Sequence, residues 1–309
     1  MDYYIHCDGG YGRCIAATGA IQEFAKTHEG DKTYVVTSFP TAFEGLDYIE
    51  RVYPIGTPYL YEDHILQGTY LAPEPYNEKA YYAENKHLTT VFNKLLNNKD
   101  EYIAPIISLT DNEKLEAQMF IQNEKMQGNK KIVLVQPWSA NSGKKLGAEE
   151  DKVQTDETFR AFGTEFAKHL CARLLEEGYQ PYLIKAMDQI GFKDCKTFNN
   201  LDQRKQIALV PYVDGIIACD SFLHHASAAL GTPVPTIVLW AGTNEQNLGY
   251  PEQTNIKSHK QCLYEPNRIP HDHAYYVNKN KGSNEFKFEI IENIIEVLKN
   301  GRNNQKKVD

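Results

Sequence analysis

Short apolar runs alternate with segments of helical composition along most of this chain, and this alternation is the feature that most limits its fold. In the stretch from residue 215 to residue 240, GIIA and TIVLW have the composition of buried strands, and HHASAALG between them favours a short helix that Gly231 closes. The opening DYYIHC, the turn GGYGR and the following helical segment lead to the strand KTYVVTS in the same way. Strand, helix, strand repeats of this kind predict an α/β fold with parallel sheets.

The length of 309 residues suits two domains of roughly 150 residues each. The polar segment QGNKK, residues 127 to 131, separates two α/β halves. We therefore predict two α/β domains, over residues 1–127 and 128–309, hinged at this segment. The last helix is predicted at about residues 286–299, within FKFEIIENIIEVLKN.

Charge and hydropathy narrow the possible partners. The net charge of −8 argues against a broad basic surface for nucleic acid or anionic lipid. No stretch contains the about 18 to 20 apolar residues that a membrane span needs, and no apolar core follows the N-terminus, so we expect a cytoplasmic protein without stable membrane insertion. The six cysteines form no CxxC pair, so we predict neither a disulfide scaffold nor a metal site.

Two loops that follow predicted strands could contact phosphate. The first is the turn GGYGR, where Gly10 and Gly12 allow close approach of backbone to a ligand, although it lacks the third glycine of the dinucleotide fingerprint. The second, PWSANSGKKLG, offers hydroxyl groups and two positive charges to a diphosphate through Ser139, Ser142, Lys144 and Lys145. A tight strand-to-helix turn and a solvated loop are the respective structural alternatives.

Two further groups of polar residues follow the strands GIIA and TIVLW. After GIIA come Asp220, Ser221, His224 and His225, at the start of a helix whose free N–H groups attract anions. The alternative is that Asp220 or Ser221 only caps the helix while a histidine packs in the core. The segment WAGTN places Gly242 and Thr243 either in a ligand-binding loop or in a plain turn. The triplet HDH at residues 271 to 273 is interpreted as a surface loop.

These motifs resemble the heptosyltransferase-like glycosyltransferases of family 9. The opening DGGYGRCIAATGAIQEFAK is similar to the start of that family, including its Thr-x-Ala stretch. The segment DSFLHHASAALGTP is similar to the family signature Asp-[Ser/Thr]-Gly-x-x-His-x-x-Ala-Ala-x-Gly-x-Pro, and WAGTN stands where the family has Phe-Gly-x-Thr. The resemblance covers most of the chain.

The resemblance implies a GT-B fold, in which two Rossmann-like domains with parallel sheets face a central cleft. It implies that the N-terminal domain, residues 1–127, lies on the acceptor side and that the C-terminal domain, residues 128–309, binds the sugar nucleotide. It implies inverting, metal-independent transfer of a sugar from a nucleotide-sugar donor to an acceptor hydroxyl, with the nucleotide sugar as co-substrate and no other cofactor. The residues expected to bind the donor are Gly10, Gly12, Ser139, Ser142, Lys144, Lys145, Asp220, Ser221, His224, His225, Gly242 and Thr243.

Two positions depart from the family pattern. Phe222 stands in place of the signature glycine, and Arg13 aligns with the catalytic aspartate of the family. Because arginine cannot accept a proton at neutral pH, we assign Arg13 as an anion contact and predict Asp8 as the general base, held ionised by Arg13. The alternatives are that Asp8 braces the glycine turn, that the base lies in the Asp63–His64 segment, or that the acceptor needs no base.

Besides a glycosyltransferase that acts on a glycan, three other functions remain open from the sequence. The first is a phage-type DNA glycosyltransferase, whose acceptor is a hydroxymethylated base. Arg13 in place of an acid also fits a non-catalytic sugar-nucleotide-binding protein. A nicotinamide-dependent oxidoreductase is a more remote alternative.

Overall fold

The computed structural model describes residues 1–128, 130–139, 160–198, 202–259 and 285–301. The strands, numbered in chain order, are β1 Asp2–His6, β2 Lys32–Thr37, β3 Arg51–Pro54, β4 Thr69–Leu71, β5 Lys131–Gln136, β6 Tyr179–Leu183, β7 Lys196–Thr197, β8 Gly215–Ala218, β9 Thr236–Trp240 and β10 Thr254–Lys257. The helices are α1 Tyr11–Thr27, α2 Leu60–Asp63, α3 Lys79–Tyr82, α4 Leu88–Asn97, α5 Asp111–Gly128, α6 Thr164–Glu176, α7 Gln203–Leu209, α8 Phe222–Leu230, α9 Glu245–Leu248 and α10 Ile290–Asn300. None of the helices in these ranges is long and apolar enough to cross a bilayer.

The chain divides into two compact units. The first comprises Met1–Asp111 with Ala228–Gly231, and the second comprises the described residues of Asn112–Ser227 and Thr232–Asp309. Helix α5 falls in the second unit, where Arg204 Nε donates to Glu113 Oε1 over 2.6 Å and the ring of Phe120 lies 6.2 Å from that of Tyr182. The boundary between the two units therefore lies at the start of α5, whereas the predicted segment 127–131 lies at its end. The hinge at that segment stays a prediction.

The first unit contains a four-stranded parallel sheet in the order β3-β2-β1-β4. Strands β2 and β3 follow β1 on one side, and the chain then returns to place β4 on the other side of β1. The direction of winding therefore reverses between β1 and β4, the kind of position at which open α/β sheets bind ligands. Strand β4 was not predicted: it lies in the Tyr- and Pro-rich region from Pro58 to Tyr82, whose sequence is typical of irregular structure.

Helix α1 connects β1 to β2 and packs closely on the segment that follows α4. An added Cβ at Gly19 would lie 2.1 Å from the carbonyl oxygen of Ala104, so no larger residue fits there without moving the backbone. The neighbouring Thr18 Oγ1 accepts a hydrogen bond from Ile106 N over 2.7 Å, and Tyr48 Oη donates to Thr18 O. The Thr-x-Ala stretch thus fixes the position of α1 in the first unit.

The second unit contains a six-stranded sheet in the order β10-β9-β8-β5-β6-β7, with parallel pairing throughout. Its apolar core combines the strands with residues of α6 and α10, among them Phe166, Leu170 and Ile294. The winding reverses between β5 and β8, because β6 and β7 extend the sheet on one side of β5 and β8 to β10 extend it on the other. The prediction of an α/β fold with two parallel sheets is confirmed.

The ends of several predicted elements shift. Helix α6 begins at Thr164, directly after a segment in which Ala161 and Phe162 are buried in the apolar core. The final helix begins at Ile290 rather than at about residue 286, since Phe286 packs into the same core cluster as α10. The edge strands β7 and β10 were not predicted.

Candidate functional site

The carboxyl ends of β5, β8 and β9 carry most of the described residues that were predicted to bind a donor. Because these three strands are parallel and adjacent, the segments that follow them meet at one edge of the second sheet. Ser139 follows β5, Asp220 and Ser221 follow β8, and Gly242 and Thr243 follow β9. The reversal of winding between β5 and β8 coincides with this edge, so the structure brings these residues together.

A hydrogen bond joins the two strands at the reversal. Gln136 Nε2, at the end of β5, donates to Ser221 Oγ over 3.0 Å. Ser221 is the residue directly before α8, the position of a helix N-cap. On the β5 side, Gln189 Nε2 donates to the carbonyl oxygen of Ser139 over 2.8 Å, and the ring of Trp138 is buried against Ala161 and Ile190. The start of α8 is thereby fixed at a packed sheet edge.

Asp220 is a buried carboxylate with two basic neighbours. Its side chain is 6% exposed, Arg160 Nε lies 3.8 Å from Oδ2, and His224 Nε2 lies 3.5 Å from Oδ1. Burial alone would raise the pKa of Asp220, but the polar contact with His224 and the charge of Arg160 outweigh it and hold that pKa well below its usual range. We therefore expect Asp220 to be ionised at neutral pH, two residues before α8 begins.

The two histidines of α8 are both buried, and their rings lie against each other at an angle of 36°. Their ring centroids are 3.9 Å apart, and the ring of His224 meets Trp240 edge-on at 5.5 Å. His225 Nδ1 lies 2.8 Å from Tyr250 Oη. Both histidines therefore pack in the core, as the alternative proposed for one of them. A contact of either histidine with phosphate stays a prediction.

One group of side chains in the described part of the chain has the composition of a metal site. Asp220, His224 and His225 each offer one ligand atom, and these atoms lie within 4.8 Å of one another. Carboxylate and imidazole ligands suit zinc or iron. The prediction that the protein needs no metal therefore requires a direct test.

The segment after β9 forms a turn into the short helix α9. Asn244 Oδ1 accepts from Gln246 N over 3.0 Å and caps that helix. Gly242 and Thr243, which precede Asn244, are buried. The residues Ser142, Lys144 and Lys145, and the triplet at 271 to 273, lie outside the described residues.

The glycine turn after β1 belongs to the first unit. Gly10 stands directly before α1, and its φ of 146° lies in the region open to glycine. Gly12 lies in the first turn of α1. Gly10 and Gly12 therefore share a unit with Asp8 and Arg13 and not with the strand ends described above.

The structure pairs Arg13 with a residue other than Asp8, and the role of Asp8 as the base stays a prediction. Within the first unit, as far as the structure describes it, Arg13 NH2 pairs with Glu74 Oε2 at 2.9 Å and donates to Pro73 O at 3.3 Å. Asp8 accepts hydrogen bonds from Ser38 instead. The physical reason is the position of β4 beside β1, which brings the segment after β4 to the turn after β1.

Sequence reasoning missed three residues of these two sheet edges. Gln136 is a polar residue that ends a buried strand, a pattern that could have revealed it. Glu74 and Tyr250 lie in segments without a periodic pattern, and no local signal connects them to Arg13 or to His225. Only the order of the strands identifies these partners.

Two α/β units, each with a parallel sheet and with polar residues at the reversal of its winding, define the GT-B class of folds. No protein-family model and no curated protein matches the chain. Solved structures do match it over nearly its whole length.

Three of these structures are glycosyltransferases. Escherichia coli ADP-heptose lipopolysaccharide heptosyltransferase II has 11% identity and a TM-score of 0.61, with 92% of this chain and 98% of that chain covered. The glycosyl transferase family 9 protein from Veillonella parvula has 12% identity, a TM-score of 0.62 and 96% coverage of both chains. E. coli heptosyltransferase WaaC with ADP has 13% identity and a TM-score of 0.55, with 97% and 98% covered. The resemblance to heptosyltransferase-like proteins is confirmed at the level of the fold.

Proposed function

We propose that this protein is a glycosyltransferase that moves a sugar from a nucleotide-diphosphate sugar to an acceptor hydroxyl, with inversion at the anomeric carbon and without a metal ion. The observation that carries the proposal is the edge of the second sheet at the ends of β5 and β8. There Gln136 fixes Ser221 at the start of α8, and free N–H groups at a helix start bind phosphate. ADP bound to a solved structure of the same fold supports a nucleoside diphosphate as the ligand class.

The leaving group of this reaction is a nucleoside diphosphate, and its negative charge must be stabilised as the glycosidic bond breaks. The N–H groups at the start of α8 supply part of that stabilisation. We assign the rest to Lys144 and Lys145 and to the hydroxyl groups of Ser139 and Ser142. A nucleoside diphosphate has the opposite charge to these lysines, so the same residues hold the donor before the reaction.

The acceptor is a hydroxyl group of a glycan or, as the alternative, of a hydroxymethylated DNA base. The net charge of −8 favours the glycan. A non-catalytic sugar-nucleotide-binding protein is the second candidate function, because Arg13 cannot accept the proton of the acceptor. Incubation with a panel of UDP-, GDP- and ADP-sugars separates these functions: an enzyme releases a nucleoside diphosphate, whereas a binding protein retains the intact donor.

Ser221→Asp is expected to abolish donor binding while the protein stays folded. Aspartate is as good an N-cap as serine, so α8 should keep its stability. Its negative charge at the helix start, however, repels a diphosphate. Binding is measured as the rise in melting temperature that each nucleoside diphosphate causes. His87→Asp, which adds the same charge at the N-cap of α4 in the first unit, is the control and should bind as the wild type does. Unchanged binding by the Ser221 variant would place the diphosphate elsewhere.

Turnover is expected to survive a chelator. Asp220 already has Arg160 and His224 as compensating basic neighbours, so no cation is needed to offset its charge. The test is release of nucleoside diphosphate before and after treatment with EDTA, together with elemental analysis of the purified protein. One equivalent of zinc or iron per chain, with activity lost on its removal and restored on its return, would show instead that Asp220, His224 and His225 form a catalytic metal site.

A further inference from the structure

An ion pair lies at the reversal of winding in the first sheet. Arg13, in the first turns of α1, follows β1, and Glu74 follows β4. The two strands are parallel neighbours, so both residues stand at the carboxyl edge of the sheet. The 2.9 Å separation of Arg13 NH2 and Glu74 Oε2 joins two segments that are 61 residues apart in the sequence. This is the kind of position at which α/β sheets hold ligands.

Arg13 is largely buried, and two aromatic rings and the glycine turn pack on it. Its side chain is 10% exposed, and its guanidinium carbon lies 4.8 Å from the ring centroid of Tyr76 and 5.9 Å from that of Phe92. A Cβ added at Gly9 would lie 2.9 Å from NH1, so the glycine turn itself packs on the arginine. Burial alone would lower the pKa of Arg13, but the hydrogen bond with Glu74 outweighs it and the pKa is raised. Arg13 is thus a fixed positive charge.

Glu74 is the accessible half of the pair. Its side chain is 44% exposed, against 10% for Arg13. A buried arginine that forms a salt bridge with an exposed carboxylate restricts the rotamers of that side chain. The carboxylate stays accessible to a ligand. The arrangement orients one carboxylate at a ligand-binding position.

Asp8, the base predicted from the sequence, has a different environment. Its Oδ1 accepts a hydrogen bond from Ser38 N over 3.3 Å, and its Oδ2 accepts one from Ser38 Oγ over 3.2 Å. Both carboxylate oxygens therefore connect the turn after β1 to the end of β2. This is the bracing role that the sequence left as the alternative for Asp8.

We infer that Glu74 is the general base of the transfer reaction and that Arg13 is its positioning residue. The inference rests on the proposed function. A carboxylate oxygen of Glu74 takes the proton of the acceptor hydroxyl as the acceptor oxygen bonds to the anomeric carbon of the donor. The bond from that carbon to the diphosphate oxygen breaks, and its electron pair leaves with the nucleoside diphosphate. Glu74 then loses the proton to water.

The test uses the full chain and two probes in place of the unidentified acceptor. With water as acceptor, Glu74→Ala and Glu74→Gln should release nucleoside diphosphate from the active sugar nucleotide about 100-fold more slowly than the wild type. Azide is an anion with no proton to lose, and it needs no base. Adding azide should therefore restore release in Glu74→Ala and yield a glycosyl azide detectable by mass spectrometry, whereas Glu74→Gln leaves no space for azide and should stay slow.

Two further variants and two further measurements complete the experiment. Glu84→Ala removes a carboxylate of similar exposure, 41%, from an ion pair elsewhere in the first unit and should react as the wild type does. Donor binding of Glu74→Gln should match the wild type, because the glutamine can still accept from Arg13. Its melting temperature should fall, because the buried Arg13 loses its counter-charge, but the protein should stay folded at the assay temperature. Asp8→Ala decides between the two carboxylates.

Each outcome has one meaning. Loss of activity with azide rescue in Asp8→Ala, but not in Glu74→Ala, would assign the base to Asp8 and overturn the inference. Full activity of both Glu74 variants would overturn it as well, with the proposed function intact. A wild-type protein that binds no nucleoside diphosphate and cleaves no sugar nucleotide would reject the proposed function and, with it, any role of Glu74.

Discussion

Asp220→Asn is expected to lower the free energy of unfolding by about 3 kcal/mol at neutral pH. The variant removes the negative charge from a buried site and leaves His224 and Arg160 without it. His224 is fully buried and cannot turn to solvent, so the polar groups left behind keep their desolvation cost. Removing one partner from a buried pair is much more costly than the pair itself is favourable, and this asymmetry produces the size of the effect.

The difference in free energy of unfolding between the wild type and Asp220→Asn should depend on pH. The pKa of Asp220 in the folded protein lies below its unfolded value of about 3.9, so its charge stabilises the fold above that value. As the pH falls from about 5 through the unfolded pKa toward the folded one, the wild type loses this contribution, and the variant has none to lose. The difference in stability between the two proteins should therefore shrink in acid.

Urea unfolding of both proteins at a series of pH values measures this difference. Glu165→Gln is the matched control, because it neutralises an exposed carboxylate, paired with Lys168 at 2.8 Å, in the same unit. Exposed pairs contribute little, so the control should unfold as the wild type does at each pH. A gap between Asp220→Asn and the wild type that stays constant or widens in acid would contradict the assignment of a charged Asp220.

Gly19→Ala is the second substitution with a large expected effect, a loss of about 3 kcal/mol in the free energy of unfolding. In an open helix the change from glycine to alanine would stabilise by about 1 kcal/mol. In α1 the added Cβ would instead lie 2.1 Å from Ala104 O, a backbone atom that no side-chain rotation can move away. The helix must shift, and the hydrogen bond from Ile106 N to Thr18 Oγ1 shifts with it.

Gly128→Ala is the control for this prediction. Gly128 is the last residue of α5, and a Cβ added there would have no atom within 4 Å. Its substitution should leave stability unchanged or raise it slightly. Both variants are compared with the wild type by thermal and urea unfolding. If Gly19→Ala proved as stable as Gly128→Ala, the close approach of α1 to residue 104 would not exist in solution.

The central strands were predictable because strands covered on both faces are continuous apolar runs. β5, β8 and β9 have that composition, β1 and β2 contain the shorter apolar runs YYI and YVV, and each strand is bounded by polar or glycine-rich turns. The local rule that ligand-binding residues follow such strands then located Ser139, Asp220, Ser221 and Thr243 at one sheet edge. Their individual roles in donor binding stay predictions.

The short edge strands could not be predicted in the same way. β4 has only three residues, all partly or largely exposed, and β10 is not buried either. An exposed edge strand needs no apolar run, because one face and one side of it meet solvent. Such strands form because a neighbouring strand provides backbone hydrogen-bond partners, and the sequence of the edge strand does not reveal that neighbour.

The sequence by itself therefore determined the two parallel sheets and the segments at their carboxyl ends, since burial and turn formation act over a few residues. The tertiary structure alone decided which charges meet. Arg13 could be interpreted from its neighbours in sequence only as a partner for Asp8, five residues away. Its actual partner is Glu74, because β4 pairs with β1 and brings a distant carboxylate within 2.9 Å. An ion pair depends on distance in space, and strand order fixes that distance only after the whole sheet has formed.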